Sequence, residues 1–470
     1  MGERKLFGTD GIRGAANIHP VTPEIAFRLG RAAGFLLRRK GSTAPRFVIG
    51  RDTRRSGVML ESALVAGLNS VGADALLAGV VPTPAVASLV TQLKADGGVV
   101  ISASHNPASD NGLKLFGGDG YKLDDALELK LEQLILTQEI DQERPEGAGV
   151  GIVTTIPDAS ERYGDVAKGS VPGMSLQGMK IAVDCANGAS FTTTPSVLRD
   201  LGADLSVFHA SPDGMNINAA CGSTHPEEIS KRLLETGAMI GISHDGDADR
   251  LVLCDEKGDV VDGDEVLAMT ALDAIKRGTL YGRTLVATVM SNFGLDESIA
   301  AAGGKVVRTA VGDRYVVEAM REGNFSIGGE QSGHLIFRDH GTTGDGLLAA
   351  LQVLRIMTES GKPLSELRRC LKKYPQAQRN LRVKEKPPIE SLHEVTRLVK
   401  ETEAALSGKG RVLLRYSGTE PKIRLLIEGP DESMINVAAE KIAAALSSSI
   451  GSESLTRQGH YQTPSTDGPH

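Results

Sequence analysis

Runs of apolar, often β-branched residues alternate with helix-length amphipathic stretches through roughly the first 370 residues. Phe47-Val48-Ile49-Gly50 predicts a strand, followed by a helix over 59–71 and a second strand over 75–80. The rhythm restarts at Met179-Lys180-Ile181-Ala182-Val183-Asp184, with a helix over 195–201 and a strand over 205–208. It starts a third time at Leu285-Val286-Ala287-Thr288-Val289, with a helix over 295–302 and a strand over 305–308. Strands alternating with helices predict βαβ units and parallel or mixed sheets.

The three units share more than rhythm. Each continues into an apolar run that opens onto a small polar loop: Val99 to Ser102 before Ser104, Met239 to Ser243 before Asp245, and Phe325 to Gly328 before Glu330. This predicts three related α/β domains with a loop at the same place in each. Ligands of open α/β sheets bind beyond strand ends, so the three loops are expected to line one central cleft. After Tyr374-Pro375 the texture changes to a strand over 380–383, a helix over 392–406, a strand pair at 411–414 and 423–428, and a helix over 432–446. The expected division is 1–158, 159–257, 258–373, a smaller α+β domain at 374–446, and a disordered Ser/Thr/Gly-rich tail at 447–470.

A chain of 470 residues is too long for one ordinary core. The formal charge of −7 argues against broad nucleic-acid binding, which works by neutralising phosphates, and leaves room for a small anionic ligand. Aromatic residues are 4% and tryptophan is absent, which speaks against base-stacking platforms. Cys185, Cys221, Cys254 and Cys370 form no CxxC pair, and no apolar run has signal-peptide or membrane-span character. A reduced, cytoplasmic protein with no membrane or nucleic-acid partner is expected.

Four loops carry chemistry. Ala103-Ser104-His105-Asn106-Pro107, with Lys114 close behind, sets a hydroxyl and an imidazole on a turn stiffened by proline. An Asn-Pro turn that merely ends a strand is the competing reading. Asp245, Asp247 and Asp249 alternate beside Arg250 and suit a hard divalent cation such as Mg²⁺. An EF-hand would need glycine where Arg250 stands and helices where the flanks read as strands. Gly329-Glu330-Gln331-Ser332-Gly333-His334 offers a carboxylate and a hydroxyl to vicinal sugar groups, or is a plain Gly-rich turn. Arg415-Tyr416-Ser417-Gly418-Thr419-Glu420-Pro421, with Arg424, has the makings of a phosphate nest, or is a hairpin turn.

Together with Gly8-Thr9-Asp10-Gly11-Ile12-Arg13-Gly14, these loops make the chain resemble the α-D-phosphohexomutase superfamily over residues 4 to 446, and most of all its bacterial glucosamine-phosphate branch. The resemblance implies an isomerase that interconverts glucosamine 6-phosphate and glucosamine 1-phosphate. A mutase of mannose or glucose phosphates is the alternative, and a non-catalytic sugar-phosphate sensor a remoter one. It implies a phosphoserine at Ser104, a hexose 1,6-bisphosphate intermediate and activator, and Mg²⁺ on the Ser104 phosphate, Asp245, Asp247 and Asp249. It places Arg13, His105, Lys114 and Arg250 around the phosphoserine, and Glu330, Ser332, His334 and Arg314 on the sugar phosphate. Arg415, Ser417, Gly418, Thr419 and Arg424 would hold the distal phosphate, and a homodimer is implied. One departure is Ala248, where the superfamily's metal loop usually carries glycine.

Overall fold

The computed structural model describes residues 5–8, 10–37, 44–137, 139–417, 421–451 and 453–454. It divides into two compact units, residues 1–291 with 299–370, and residues 292–298 with 371–470.

The first unit holds three mixed sheets built to one plan. In the first, Arg46–Arg51 runs parallel to Asp74–Val80 and to Gly97–Ile101, and Gly97–Ile101 pairs antiparallel with Asp110–Gly117. In the second, Lys180–Asp184 is parallel to Asp204–Phe208 and Ile240–Ser243, and Val252–Asp255 returns antiparallel. In the third, Thr284–Thr288 is parallel to Lys305–Thr309 and Ile327–Gly329, and Leu335–Phe337 returns antiparallel. The expected repeat is therefore a repeat of topology. Each polar loop lies where the last parallel strand turns back on itself.

Period-two alternation sets the layers of the first sheet. Phe47, Ile49, Val99, Ile101, Leu113 and Leu115 share one core with Leu29 of helix Pro23–Leu36, Leu64 of helix Gly57–Asn69 and Leu131 of helix Asp125–Thr137. On the other face Val86 and Val90 of helix Thr83–Gln92 close over Gly50 and Gly98. Covered on both sides, Gly97–Ile101 is buried along its whole length, which is why it reads as a continuous apolar run. Ile12–Ala15 adds an antiparallel edge to Asp110–Gly117.

Three boundaries differ from expectation. Val260–Val261 pairs with Leu253 and Cys254, so the second sheet continues past residue 257 through a turn at Gly258, φ +86°. Residues 292–298 join the second unit, where the Asn292 amide donates to the Tyr374 carbonyl at 2.9 Å and the Phe293 N–H to Glu428 at 3.1 Å. Finally, helix Glu432–Ile450 runs beyond residue 446 into the expected tail. Its serines donate back to the turn before, as Ser448 does to the Ala444 carbonyl, and Ile450 packs on the core; Gly451 in the left-handed region ends it. Residues 452 and 455–470 of that tail lie outside the described residues.

The second unit is an antiparallel sheet in the order Arg411–Tyr416, Lys422–Glu428, Gln376–Arg382, Glu453–Ser454, packed with helices His393–Leu406 and Glu432–Ile450.

Candidate active site

The Ser104 loop is held by one buried arginine. As the chain leaves Gly97–Ile101, Ser104 takes φ +51°, a left-handed conformation uncommon for a residue with a side chain. Its N–H donates to Ser102 Oγ at 3.0 Å, and Ser102 Oγ donates to Asp52 at 2.5 Å. Arg54 reaches in from the end of Arg46–Arg51. Its guanidinium donates to the carbonyls of Ser104 (2.9 Å), Asn106 (2.8 Å), Pro107 and Asp110 (3.0 Å), and to Asp52 (2.8 Å). Asn218 adds donors to the Ser104 and Asn106 carbonyls. The result is a hydroxyl pointed at Asp245, to which Ser104 Oγ donates a short hydrogen bond.

Asp245, Asp247 and Asp249 line the turn between Ile240–Ser243 and Val252–Asp255, and their carboxylate oxygens cluster within 4.8 Å. All three are buried. The strands on either side confirm that no EF-hand is present. Ala248 adopts φ +55°, so the alanine takes the conformation that glycine would take freely. Gly246 is required in a different sense: a Cβ there would lie 2.6 Å from the Ser104 carbonyl oxygen, so its absence lets the two loops nest. Burial and the neighbouring Asp249 and Asp247 push the Asp245 carboxyl up to about 8. Oδ1 of Asp247 and Oδ1 of Asp249 are buried without a hydrogen bond. Crowded, buried, under-satisfied carboxylates fit a hard divalent cation with oxygen ligands.

Part of the charge is met by Lys114, opposite Val100 in the ladder. Its ammonium lies 2.7 Å from Asp247, 3.4 Å from Asp10 and 3.5 Å from Asp249. Burial alone would lower its affinity for the proton, but Asp10, Asp247 and Asp249 outweigh that and keep it cationic. Thr83, at the start of Thr83–Gln92, donates its hydroxyl to Asp247 at 2.6 Å and its N–H to the Asp247 carbonyl at 2.9 Å.

His105 is partly buried, with Nδ1 3.4 Å from Ser104 Oγ. Burial, reinforced by Arg250 and Arg13, lowers it to about 4, so the ring is neutral at neutral pH. Arg13 pairs with Asp10, and Arg250 Nε lies 3.9 Å from Asp249 without a hydrogen bond; both side chains remain about a quarter exposed.

The third loop joins the second through backbone. The Leu251 N–H donates to the Gly333 carbonyl at 3.0 Å, and Gly333, φ +90°, has no room for a Cβ against the Leu251 oxygen. His334 is buried between Asp249 and Asp313, 3.7 Å from each. Lys122 ties Asp313 to Asp10. Glu330 accepts the Gly312 N–H at 2.9 Å, while Ser332 is exposed. Arg314 is ion-paired with Asp125 and Glu128.

In the second unit, Arg415 and Arg424 sit directly opposite each other on antiparallel strands, and Arg415 Nε is buried without a hydrogen bond. Like charges so placed repel, an arrangement that an anion relieves. The Ser417 N–H donates to the Lys422 carbonyl and its own carbonyl accepts from Lys386 at 2.7 Å. Gly418 and Thr419, expected in the same grip, lie outside the described residues, as does Thr9.

Sequence reasoning singled out Ser104, the three aspartates and Lys114, which the structure brings together. It passed over Arg54, Asp52, Thr83 and Lys122. A signal existed for the first two: Arg51-Asp52-Thr53-Arg54 follows a buried strand directly, at the end where such sheets bind ligands.

Family descriptions for phosphoglucomutase/phosphomannomutase match in chain order: α/β/α domain I at residues 4–142, domain II at 165–258, domain III at 262–374 and the C-terminal domain at 379–445. A phosphoglucosamine mutase of Syntrophotalea carbinolica is 51% identical over 450 residues, 96% of this chain and 98% of its own. One of Geobacter metallireducens is 52% identical over 449 residues, 95% of this chain and 99% of its own. Among solved structures, a phosphoglucomutase/phosphomannomutase family protein from Burkholderia thailandensis shares the fold with TM-score 0.78 at 24% identity, covering 94% of this chain and 97% of that one. Aspergillus fumigatus N-acetylphosphoglucosamine mutase, solved with GlcNAc-6P and magnesium, gives 0.64 at 19%, covering 94% and 96%.

Proposed function

Because this chain belongs to the phosphoglucomutase/phosphomannomutase family, we propose that it is an isomerase interconverting glucosamine 6-phosphate and glucosamine 1-phosphate through phosphorylated Ser104. The sugar assignment follows relatives that are phosphoglucosamine mutases over nearly their whole length. The observation that carries the chemistry is the Ser104 hydroxyl, fixed in a left-handed turn and aimed into three buried carboxylates.

In the proposed cycle, phospho-Ser104 gives its phosphoryl group to the free hydroxyl of the bound sugar phosphate. The P–O bond to Ser104 breaks as the bond to the sugar oxygen forms, yielding a 1,6-bisphosphate. That intermediate turns over within the site, and its other phosphoryl group returns to Ser104 with departure of the isomeric monophosphate. Such a loose transition state asks the protein mainly for positioning and positive charge. Arg54 fixes the loop, while Lys114, Arg250 and Arg13 supply charge around the phosphoryl group. His105, neutral and with Nδ1 3.4 Å from Ser104 Oγ, is the group we assign to the hydroxyl proton when a bound cation occupies Asp245. Glu330, Ser332 and His334 are assigned to the sugar, and Arg314 joins them only on leaving Asp125 and Glu128. Arg415, Ser417 and Arg424 are assigned to the distal phosphate, which alternates between the two ends of the sugar.

We assign the carboxylate triad to Mg²⁺, which when bound offsets the phosphate charge as a Lewis acid. A 1,6-bisphosphate serves as activator by loading Ser104. The proposed domains are the four given by sequence, with the second carried through Val261 and the fourth through Ile450. No helix among the described residues is long and apolar enough to cross a membrane, and all four cysteines are free, which supports our placing the enzyme in the cytoplasm.

The test compares glucosamine, glucose and mannose 6-phosphates in coupled assays with Mg²⁺ and bisphosphate, on wild type and Ser104→Ala. Highest kcat/KM on the amino sugar and loss of all turnover in the variant are expected. A preference of about tenfold for another hexose, roughly 1.4 kcal/mol, would overturn the sugar. Turnover without Ser104 would overturn the relay.

A further inference from the structure

We propose that Asp184, His209 and Cys221 form a second metal site, for a borderline transition ion of the zinc type, behind the carboxylate triad. The three residues come from different segments of the second sheet's domain. Asp184 ends strand Lys180–Asp184, His209 follows strand Asp204–Phe208, and Cys221 lies in the loop before helix Pro226–Thr236. One ligand atom from each lies within 4.8 Å of the other two.

Local geometry suits a ligand set. His209 Nδ1 is buried and lies 3.1 Å from Asp184 Oδ1, yet makes no aligned hydrogen bond. The contact is a poorly aligned ion pair that raises the imidazole's affinity for its proton, with Glu228 3.9 Å from Nε2, so a cation bound there takes the place of that proton. His209 also holds φ +48°, with its carbonyl accepting the Asn187 N–H at 2.6 Å, so the backbone presents the ring in a sparsely populated conformation. The Asp184 carboxylate is oriented by the N–H groups of Ala186 (2.8 Å) and Gly222 (2.9 Å), the outer support that ligating carboxylates usually have. Asp184 and Cys221 are buried, whereas the His209 side chain is a quarter exposed and gives the ion a way in.

The donor set decides the class of ion. One sulfur, one imidazole nitrogen and one carboxylate oxygen suit Zn²⁺ or Co²⁺ and disfavour Mg²⁺, which takes oxygen ligands. The two sites therefore discriminate between ions by chemistry. Burial, with Asp184 adding to it, pushes the Cys221 thiol up to about 12, so binding displaces its proton. The thiol and the hydrated dication become a metal-bound thiolate and one proton released to water. Three protein ligands leave the fourth position to water.

The site sits against the support of the active-site turn. The Asp184 carbonyl accepts the His244 N–H at 3.1 Å, and the His244 carbonyl accepts the Ser223 N–H at 2.8 Å, immediately before Asp245. An ion there clamps three segments, two of which hydrogen-bond His244 beside Asp245.

Cobalt titration of the full chain in excess Mg²⁺ tests this directly. One equivalent of Co²⁺ should produce a thiolate-to-cobalt charge-transfer band in the near ultraviolet, displaced by Zn²⁺ and persisting in Cys185→Ser. Cys221→Ser should abolish the band, and His209→Gly, which suits the backbone φ, should weaken Co²⁺ binding by about tenfold or more. No band in the wild type, a band surviving in Cys221→Ser, or unchanged affinity in His209→Gly would overturn the site. Mutase turnover, measured separately, leaves this outcome independent of the assigned activity.

Discussion

Arg54 donates to the backbone carbonyl of Ser104 at 2.9 Å, and with the same guanidinium to three further carbonyls of the Ser104 loop and to the Asp52 carboxylate. A fully buried arginine is costly unless every donor finds an acceptor, and here the acceptors are the loop itself. The planar fork is the feature in use, so lysine is not an equivalent. Arg54→Lys should lower kcat by about a hundredfold through a misplaced hydroxyl, with KM changed far less. Arg54→Ala should in addition lose about 3–5 kcal/mol of stability, because Asp52 is left buried and unpaired. Steady-state kinetics with urea unfolding separate the two effects; unchanged kcat in the lysine variant would remove Arg54 from the loop's control.

Thr83 orients Asp247 through its hydroxyl at 2.6 Å. Thr83→Val keeps the volume and removes the donor, and should weaken Mg²⁺ by about 10–100-fold. Turnover should recover largely at saturating Mg²⁺, and Thr83→Ser should restore the affinity. Activity as a function of Mg²⁺ concentration gives the answer.

Arg415 and Arg424 face each other in register across two strands. Removing one cation should weaken binding while relieving repulsion, so the two consequences have opposite sign. Arg415→Gln should raise KM for the sugar phosphate by about tenfold, an effect of the size of one charged hydrogen bond. Stability should stay level or rise by a few tenths of a kcal/mol. A fall in stability with unchanged KM would assign Arg415 to the sheet instead.

His105 carries a folded-state value of about 4 against an ordinary 6.5, because burial and the nearby Arg250 and Arg13 disfavour its charge. The unfolded chain therefore binds the extra proton first as pH falls. The contribution of His105 to stability is complete above pH about 6.5 and is lost progressively toward pH about 4. In unphosphorylated protein, NMR titration should show the ring neutral through pH 5. His105→Gln should flatten that segment of the stability profile and depress kcat.

Ala248 at φ +55° bears the cost of a side chain in the left-handed region, about 1–2 kcal/mol, offset in part by the greater freedom glycine has when unfolded. Ala248→Gly should therefore stabilise the protein by up to about 1 kcal/mol, with Mg²⁺ affinity unchanged. A shift of the urea midpoint to lower concentration would show that the methyl group contributes more by packing than it costs in conformation.

Much of this architecture was legible because its signals are local. The apolar runs at 47–50, 181–183 and 285–287 are strands buried on both faces, and the polar loops after Ile101, Ser243 and Gly329 stand where the runs end. What was not legible depends on contacts across the sequence. Arg54 meets its acceptors about fifty residues away, and Thr83 meets Asp247 across 164. Neither pairing leaves a periodic trace. The strand Val260–Val261 and the last turn of Glu432–Ile450 were missed for a related reason: both are decided by what they pack or pair against. Arg314 was expected on the substrate, yet its partners here are Asp125 and Glu128, an ion pairing between helices that no motif encodes.

The three hairpin turns at the ends of the three mixed sheets carry a consequence for how such an enzyme diversifies. On the proposed assignment, nucleophile, ion and ring recognition occupy corresponding berths in a single architectural plan, each anchored by its own ladder. Residues 330–332 can then be rewritten for another sugar only while Gly333 and His334 are kept, because Gly333 packs on Leu251 and His334 lies against Asp249 of the carboxylate triad. Under that assignment, selectivity can change at the tip of one hairpin while its base stays tied to reactivity.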